Sequence, residues 1–345
     1  MEGQQFVFIG GYMHAGTTLL GQVIGNLPGG HTAPRETKFL EFQEQYRRLY
    51  PDLDDPETHA AFAALCRRLV REGFSFSYLS GDERPASTGP ASAPGRHLAV
   101  FLEAASDALA DTGSVIFVEH TGTNVFEYAE LLRSDEEVYL VNVVRDPRDV
   151  IASKKTRRAT VFTDRYAVQD QQRKHFEKSF DAVWDTVSWR TFIRAGEQAD
   201  RALGDHYLEL RYEDLVADPA HELTRVAKLL GIEVADGEVS VSIDNSADQS
   251  VRRAGIDGRS VSRWRSVLTP GEAATSSWLA RREIARLQYE PGATRPSPSM
   301  ARPFVHAASE PVVRVYRRFR LGGFVAATAI VRNYRRRIVR GRRAS

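Results

Sequence analysis

Apolar residues fall along this chain in short unbroken runs, separated by longer stretches in which apolar and polar positions recur with a helical period. The runs Phe6–Ile9, Ser114–Val118, Val138–Val144 and His206–Leu210 are too short for helices. All four predict parallel strands, and Val138–Val144 reads as one buried on both faces. Between them the spacing predicts helices over Thr17–Leu27, Lys38–Leu49, Pro56–Arg71, Leu98–Asp111, Asn124–Leu132, Pro147–Arg157, Asp164–Ala199 (whole or broken) and Pro219–Leu230. Strands that alternate with helices need crossover connections, so the expected fold class is α/β, a parallel β-sheet flanked by helices. Gly81–Gly95 and Pro291–Pro303 are rich in Pro, Ser, Gly and Ala and read as exposed connections. The expected organisation is a globular body over residues 1–290, a linker over 291–310 and a helical tail over 311–345, with no internal repeat.

The first run ends in a loop that carries chemistry. Gly11-x4-Gly16-Thr17-Thr18 follows a strand and opens a helix, which is the spacing of a P-loop, where loop amides and a helix N-terminus wrap phosphate oxygens. Thr17 stands where a nucleoside triphosphatase carries the lysine that reaches the β- and γ-phosphates, which disfavours Mg²⁺-dependent ATP or GTP hydrolysis and leaves the anion cradle. Read without a ligand, the same glycines serve only a tight strand-to-helix connection.

A second strand-turn-helix unit runs through Arg145-Asp-Pro-Arg-Asp-Val-Ile-Ala-Ser153-Lys-Lys-Thr-Arg157. Pro147 suits the first helical turn and Asp146 the cap beside it. Arg145 then sits at the carboxyl end of a strand, where open α/β sheets bind ligands. Ser153 and Arg157, four residues apart, share a helix face with each other. Taken alone, the segment also reads as a helix with a solvated basic face.

Together these segments resemble the 5′-phosphosulfate loop and the 3′-phosphate motif of sulfotransferases that use 3′-phosphoadenosine 5′-phosphosulfate (PAPS). The family's loop usually reads (Lys/Arg)-Ser-Gly-Thr-Thr, here His14-Ala15-Gly16-Thr17-Thr18. Its 3′-phosphate site is an Arg with a Ser eight residues on, here Arg145 and Ser153. Glu36-Thr-Lys-Phe-Leu-Glu-Phe42 is similar to the family's Glu-Thr-(Lys/Arg) segment, and Arg211-Tyr-Glu-Asp-Leu-Val-Ala-Asp-Pro219 to its later strand-helix unit, in which Tyr212 approaches the nucleotide. Asp248-Gln249 with Ser262-Arg263-Trp264 is similar to the late loop that closes over adenosine and the 3′-phosphate. The likeness runs from Phe6 to Leu287, and its motifs sit nearest to bacterial members of the tyrosylprotein and carbohydrate type. It implies a P-loop-containing nucleotide-binding fold, PAPS as sulfuryl donor, no metal, and a hydroxyl acceptor on a small molecule, carbohydrate or tyrosyl group.

The resemblance also assigns roles. Glu36 is the implied base, although a Glu ahead of the predicted helix also favours its dipole. His14 replaces the cationic residue that contacts the transferring sulfuryl. In Glu119-His-Thr-Gly-Thr-Asn124, similar to the family's Glu-Lys-Thr-Pro-x-Asn, His120 replaces a lysine. His120 is the alternative base, or else a core histidine at a strand end. The two substitutions describe either a tuned acid-base pair or a weakened enzyme, so a nucleotide-binding adaptor stands beside the transferase reading. A small-molecule kinase is a further alternative, opposed by the absent P-loop lysine.

Composition narrows the setting. At 345 residues and 42% hydrophobic content the chain can bury a large core. The single cysteine, Cys66, excludes an intramolecular disulfide, no basic-plus-apolar leader precedes the first strand, and a reducing cytoplasm is expected. Golgi members of the resembled family depart from this in their membrane anchors and lumenal disulfides. Leu321–Val331 is the only late apolar run and is shorter than the ~20 residues a bilayer span takes. The net charge of +2 conceals eleven Arg and no acid in Pro311–Ser345, against −9 for the remainder. Such a tail suits an anionic membrane surface or an acidic partner, including the acidic body itself. No zinc spacing, helix-turn-helix or aromatic-basic interleaving accompanies it, so nucleic acid is not the expected partner.

Overall fold

A computed structural model describes residues 3–79, 91–164, 181–232, 258–305 and 307. In chain order these form β1 (Gln5–Gly10), α1 (Thr17–Gly25), β2 (Gly30–Thr32), α2 (Phe39–Leu49), α3 (Pro56–Glu72), α4 (Arg96–Thr112), β3 (Ile116–Glu119), α5 (Tyr128–Leu131) and β4 (Glu137–Val144). There follow α6 (Pro147–Asp164), α7 (Ala182–Leu203), β5 (Tyr207–Arg211), α8 (Tyr212–Ala217), α9 (Pro219–Leu230), α10 (Trp264–Val267), α11 (Pro270–Leu279) and α12 (Arg281–Arg286). The chain divides into two compact units, one of Met1–Arg145 with Gly196–Gly258 and one of Asp146–Ala195 with Arg259–Ser345.

The first unit holds a five-stranded, all-parallel sheet in the order β2-β3-β1-β4-β5. Phe6 of β1 lies opposite Phe117 of β3 and Val138 of β4, and Phe6–Ile9 are at most 1% exposed, as the unbroken apolar run requires. From β1 the chain leaves toward β2 at one edge, whereas from β4 it proceeds toward β5 at the other. The carboxyl ends of β1 and β4 therefore flank the point where the winding reverses, which is where open α/β sheets bind their ligands. The core is aromatic: Phe39 stacks on Phe101 at 4.2 Å, and Phe6, Phe8, Tyr46, Phe62 and Phe117 join the same cluster.

The expected strands and the α/β class stand, with β2 added. Gly30-His-Thr32 has no apolar run; it exists because its backbone pairs with Ile116–Val118. The helix expected over Asn124–Leu132 splits into a 3₁₀ turn (Asn124–Phe126) and α5, since Glu127 adopts φ −108°, ψ 19° between them. The expected helix at Pro147 runs on to Asp164. Of the expected Asp164–Ala199 helix, residues 165–180 lie outside the described set. The remainder starts as α7 behind Asp181, whose Oδ1 accepts from the amides of Val183 and Trp184 at 2.9 Å.

In the second unit Ile151, Ala152 and Leu268 pack with Trp264, Val267 and Ala273. α11 begins with a capping box, Thr269 and Glu272 each bonding the other's amide, around Pro270. Of the segment expected as a linker, Met300 is 2% exposed and the Phe304 ring meets Trp278 edge-on at 6.0 Å. The basic tail lies outside the described residues. Among the described residues no helix is long and apolar enough to cross a membrane.

Candidate functional site

β1 ends at Gly10, and the loop that follows is built on left-handed backbone: His14 has φ 67° and Gly16 φ 107°. A Cβ on Gly11 would stand 2.7 Å from the Val143 carbonyl oxygen, and one on Gly16 would stand 2.5 Å from Cδ2 of Tyr212, so neither position admits a side chain. The Gly11 amide donates to the Gly122 carbonyl, tying the loop to the segment after β3, and the Ala15 amide to the Tyr12 carbonyl within the loop, each at 2.9 Å. Gly16 gives α1 no side-chain cap, and the first turn of α1 contains no acid. Its leading amides and dipole thus face the loop with no acidic residue in that first turn to oppose an anion. Ala15 and Thr17 are buried and Thr18 is exposed at the mouth.

Arg145 follows β4 and is 6% exposed. Its Nη1 donates to the His14 carbonyl at 3.0 Å, and its guanidinium carbon sits 4.2 Å from the ring centre of Tyr212, the first residue of α8. Three residues that follow three different strands, Gly16, Arg145 and Tyr212, thus form one wall.

The end of β3 carries the other half of the first unit's polar cluster. Glu36 is half-exposed, with Oε2 3.5 Å from Lys38 Nζ. Lys38 itself adopts φ 51°, and its amide donates to Thr121 Oγ1 at 3.0 Å. The Thr37 amide donates to Glu119 Oε1 at 3.0 Å. His120 is 5% exposed, and its Nε2 lies 3.2 Å from the Ala33 carbonyl oxygen, which can only accept; Nε2 therefore carries a hydrogen. Its Nδ1 is buried and has no hydrogen-bond partner among the described residues. Glu119, Thr121 and Asn124, all buried, were not singled out from the sequence, whose only trace of them was the motif around His120.

In the second unit, Asp146 caps α6, its Oδ1 accepting from the Arg148 amide at 2.8 Å, and it also forks the buried Arg148 guanidinium at 2.9 and 2.6 Å. Asp149 accepts from the amides of Ser262 and Trp264 at 2.7 and 2.8 Å, fastening the Ser262-Arg263-Trp264 turn to α6. The Trp264 ring has Arg148 at 4.4 Å and Arg265 at 4.7 Å, so this indole is engaged with guanidinium groups of its own chain. Ser153 is half-buried on α6. Arg157 is on the same helix, but its side chain lies outside the described residues, as do Asp248 and Gln249. Trp189 is core at 1% exposure, whereas Trp184 is 42% exposed and donates from Nε1 to the Ala307 carbonyl at 3.2 Å. Among the described residues no group of His, Cys, Asp or Glu is arranged to hold a metal ion.

Residues 6–236 match the sulfotransferase family. No curated protein matches the chain at a significant level. Among solved structures, the sulfotransferase domain from the Synechococcus PCC 7002 olefin synthase superposes with a TM-score of 0.51 at 18% identity, covering 84% of this chain and 96% of that one, and shares its fold. The sulfotransferase domain from the curacin biosynthetic pathway gives a TM-score of 0.47 at 16% identity over 84% of this chain and 99% of that one. A mouse sulfotransferase complexed with PAP gives 0.40 at 13% identity over 91% of this chain and 90% of that one.

Proposed function

Because this chain belongs to the sulfotransferase family, we propose that it moves a sulfuryl group from PAPS to a hydroxyl acceptor, with Glu36 as the base. The observation that carries this reading is the uncapped, acid-free N-terminus of α1, set in a glycine loop whose His14 carbonyl is bonded to Arg145. That cradle fits a phosphosulfate: it offers amide donors and a helix dipole where a nucleoside triphosphatase would add a lysine and a metal.

PAPS, when bound, would supply a sulfuryl group activated as a mixed anhydride with phosphate, to be passed to the acceptor oxygen with PAP as the leaving group. The loop amides with Thr17 and Thr18 would hold the 5′ end, and the His14 ring is assigned to donating an N–H to the transferring group. Glu36 takes the proton of the acceptor hydroxyl, and the neighbouring Lys38 ammonium keeps a positive charge beside the carboxylate. Arg145, Ser153 and Arg157 are assigned to the 3′-phosphate, Tyr212 to propping Arg145, and Ser262, Arg263 and Trp264 to the adenosine end. His120 stays the alternative base through Nδ1.

Residues 1–290 form the catalytic part in this reading, and the protein works in the cytoplasm, which the lone, buried Cys66 suits. The Arg-rich tail is assigned to an anionic membrane surface or an acidic partner on its charge alone. The test is binding of PAPS, PAP and ATP by calorimetry, followed by turnover with PAPS and a panel of phenols, alcohols, sugars and tyrosyl peptides. Tight PAP binding with turnover on one class supports the reading; preference for ATP, or PAP binding without any turnover, defeats it.

A further inference from the structure

Glu36 is not fixed by packing of its own side chain, which is 41% exposed beside a Lys38 side chain that is 32% exposed. Its position comes from the backbone on either side. Upstream, His120 Nε2 donates to the Ala33 carbonyl. Downstream, the Thr37 amide bonds Glu119, and the Lys38 amide bonds the Thr121 hydroxyl, which in turn donates to Glu119 Oε1. Glu119 is 1% exposed and takes further bonds from the Thr121 amide, at 3.1 Å to each oxygen, and from Asn124 Nδ2. The same Asn124 nitrogen donates to the Ile9 carbonyl at 3.2 Å, at the end of β1 where the glycine loop begins.

A buried carboxylate surrounded by donors has a specific chemical meaning. Only an ionised carboxylate offers enough lone pairs to accept from all of these groups, whereas an amide would turn its own N–H₂ toward some of them. The left-handed backbone at Lys38 points the same way, because φ 51° is unfavourable for a lysine and is held by the bond to Thr121. We propose that Glu119 and Thr121 are positioning residues for sulfuryl transfer: they fasten the Glu36–Lys38 segment to the end of β3 and, through Asn124, to the strand that carries the glycine loop. The proposal rests on Glu36 being the base. It adds that the base is held by its backbone, so that loss of one buried hydroxyl loosens it while leaving the nucleotide site whole.

The experiment compares Thr121→Val, which keeps the shape and loses the hydroxyl, with Thr121→Ser, which restores it, in the full chain. Melting temperature, PAP affinity, amide exchange across residues 33–39 and turnover with PAPS are read in parallel. In Thr121→Val the exchange of that segment and the turnover should each change by about tenfold or more, faster exchange with lower kcat, while PAP affinity stays within about threefold; Thr121→Ser should recover both. Glu119→Gln should reproduce the Val effect. In the unmutated protein the amides of Thr37 and Lys38 must already be protected from exchange; unprotected amides overturn the proposal without any variant. It is equally overturned if Thr121→Val exchanges faster yet keeps its kcat, or if PAP binding and folding fail together with turnover. An unmutated protein that binds no PAP and has no turnover defeats the sulfotransferase reading instead, with the exchange result still standing.

Discussion

The guanidinium carbon of Arg145 sits 4.2 Å from the ring centre of Tyr212, and the same guanidinium reaches the glycine loop by donating from Nη1 to the His14 carbonyl. Tyr212 also occupies the space beside Gly16. Ring, guanidinium and loop therefore hold one another, and the cationic side chain is pre-oriented before any anion arrives, which spares ordering entropy on binding.

Gly16→Ala tests that wall. The new methyl would have to displace the Tyr212 ring from 2.5 Å and would sit on φ 107°, a backbone costing about 1–3 kcal/mol for a non-glycine residue. PAP affinity should fall by at least about tenfold, with a smaller loss in melting temperature. Unchanged affinity in calorimetry would show that the loop does not cradle the ligand.

Arg145→Ala should separate nucleotides. Removing a buried guanidinium that serves a 3′-phosphate costs about 2 kcal/mol or more of PAP binding, while 5′-AMP, which lacks that phosphate, should lose much less. Equal losses for the two nucleotides would assign Arg145 to the loop alone, through its bond to His14.

Glu36→Gln preserves shape and removes proton acceptance, so kcat should fall by roughly 10²-fold or more with PAP affinity little changed. His120→Ala is the counterpart measurement. Should Glu36→Gln stay active while His120→Ala is inactive, the base is His120, acting through its buried Nδ1.

His97 gives the fold a pH dependence distinct from catalysis. Burial holds its imidazole below the ordinary histidine value, partly opposed by the Tyr50 carbonyl, which lies 2.9 Å from Nε2. The unfolded chain therefore takes up this proton at a higher pH than the folded one. The contribution is fully present above the unfolded value of about 6.5 and is lost as pH falls from there through the folded value. His97→Gln can still donate to Tyr50 without titrating, so its melting temperature should drop less between roughly pH 7.5 and 5.5 than that of the unmutated protein. Identical drops would remove His97 from the account.

What the chain declares by itself is what depends on neighbours in sequence. β1 and β4 are legible because strands buried on both faces need unbroken apolar runs; the glycine loop because Gly11 and Gly16 mark backbone that other residues avoid; the start of α6 because Asp146 and Pro147 are local capping chemistry. The Thr269 and Glu272 capping box of α11 was equally local and could have been read from Thr-Pro-Gly-Glu. Tertiary structure alone decided the rest. β2 has no pattern of its own and forms only because β3 offers it a ladder. Glu119 is an ordinary strand-end acid until the Thr37 amide, 82 positions away in sequence, bonds it, and Asp149 an ordinary helix acid until Ser262, 113 positions on, does the same. A carboxylate's identity is written in the sequence. Its burial and its donors are not, because they are set by how the chain returns to the same point in space, and no local pattern of apolar and polar residues encodes that meeting.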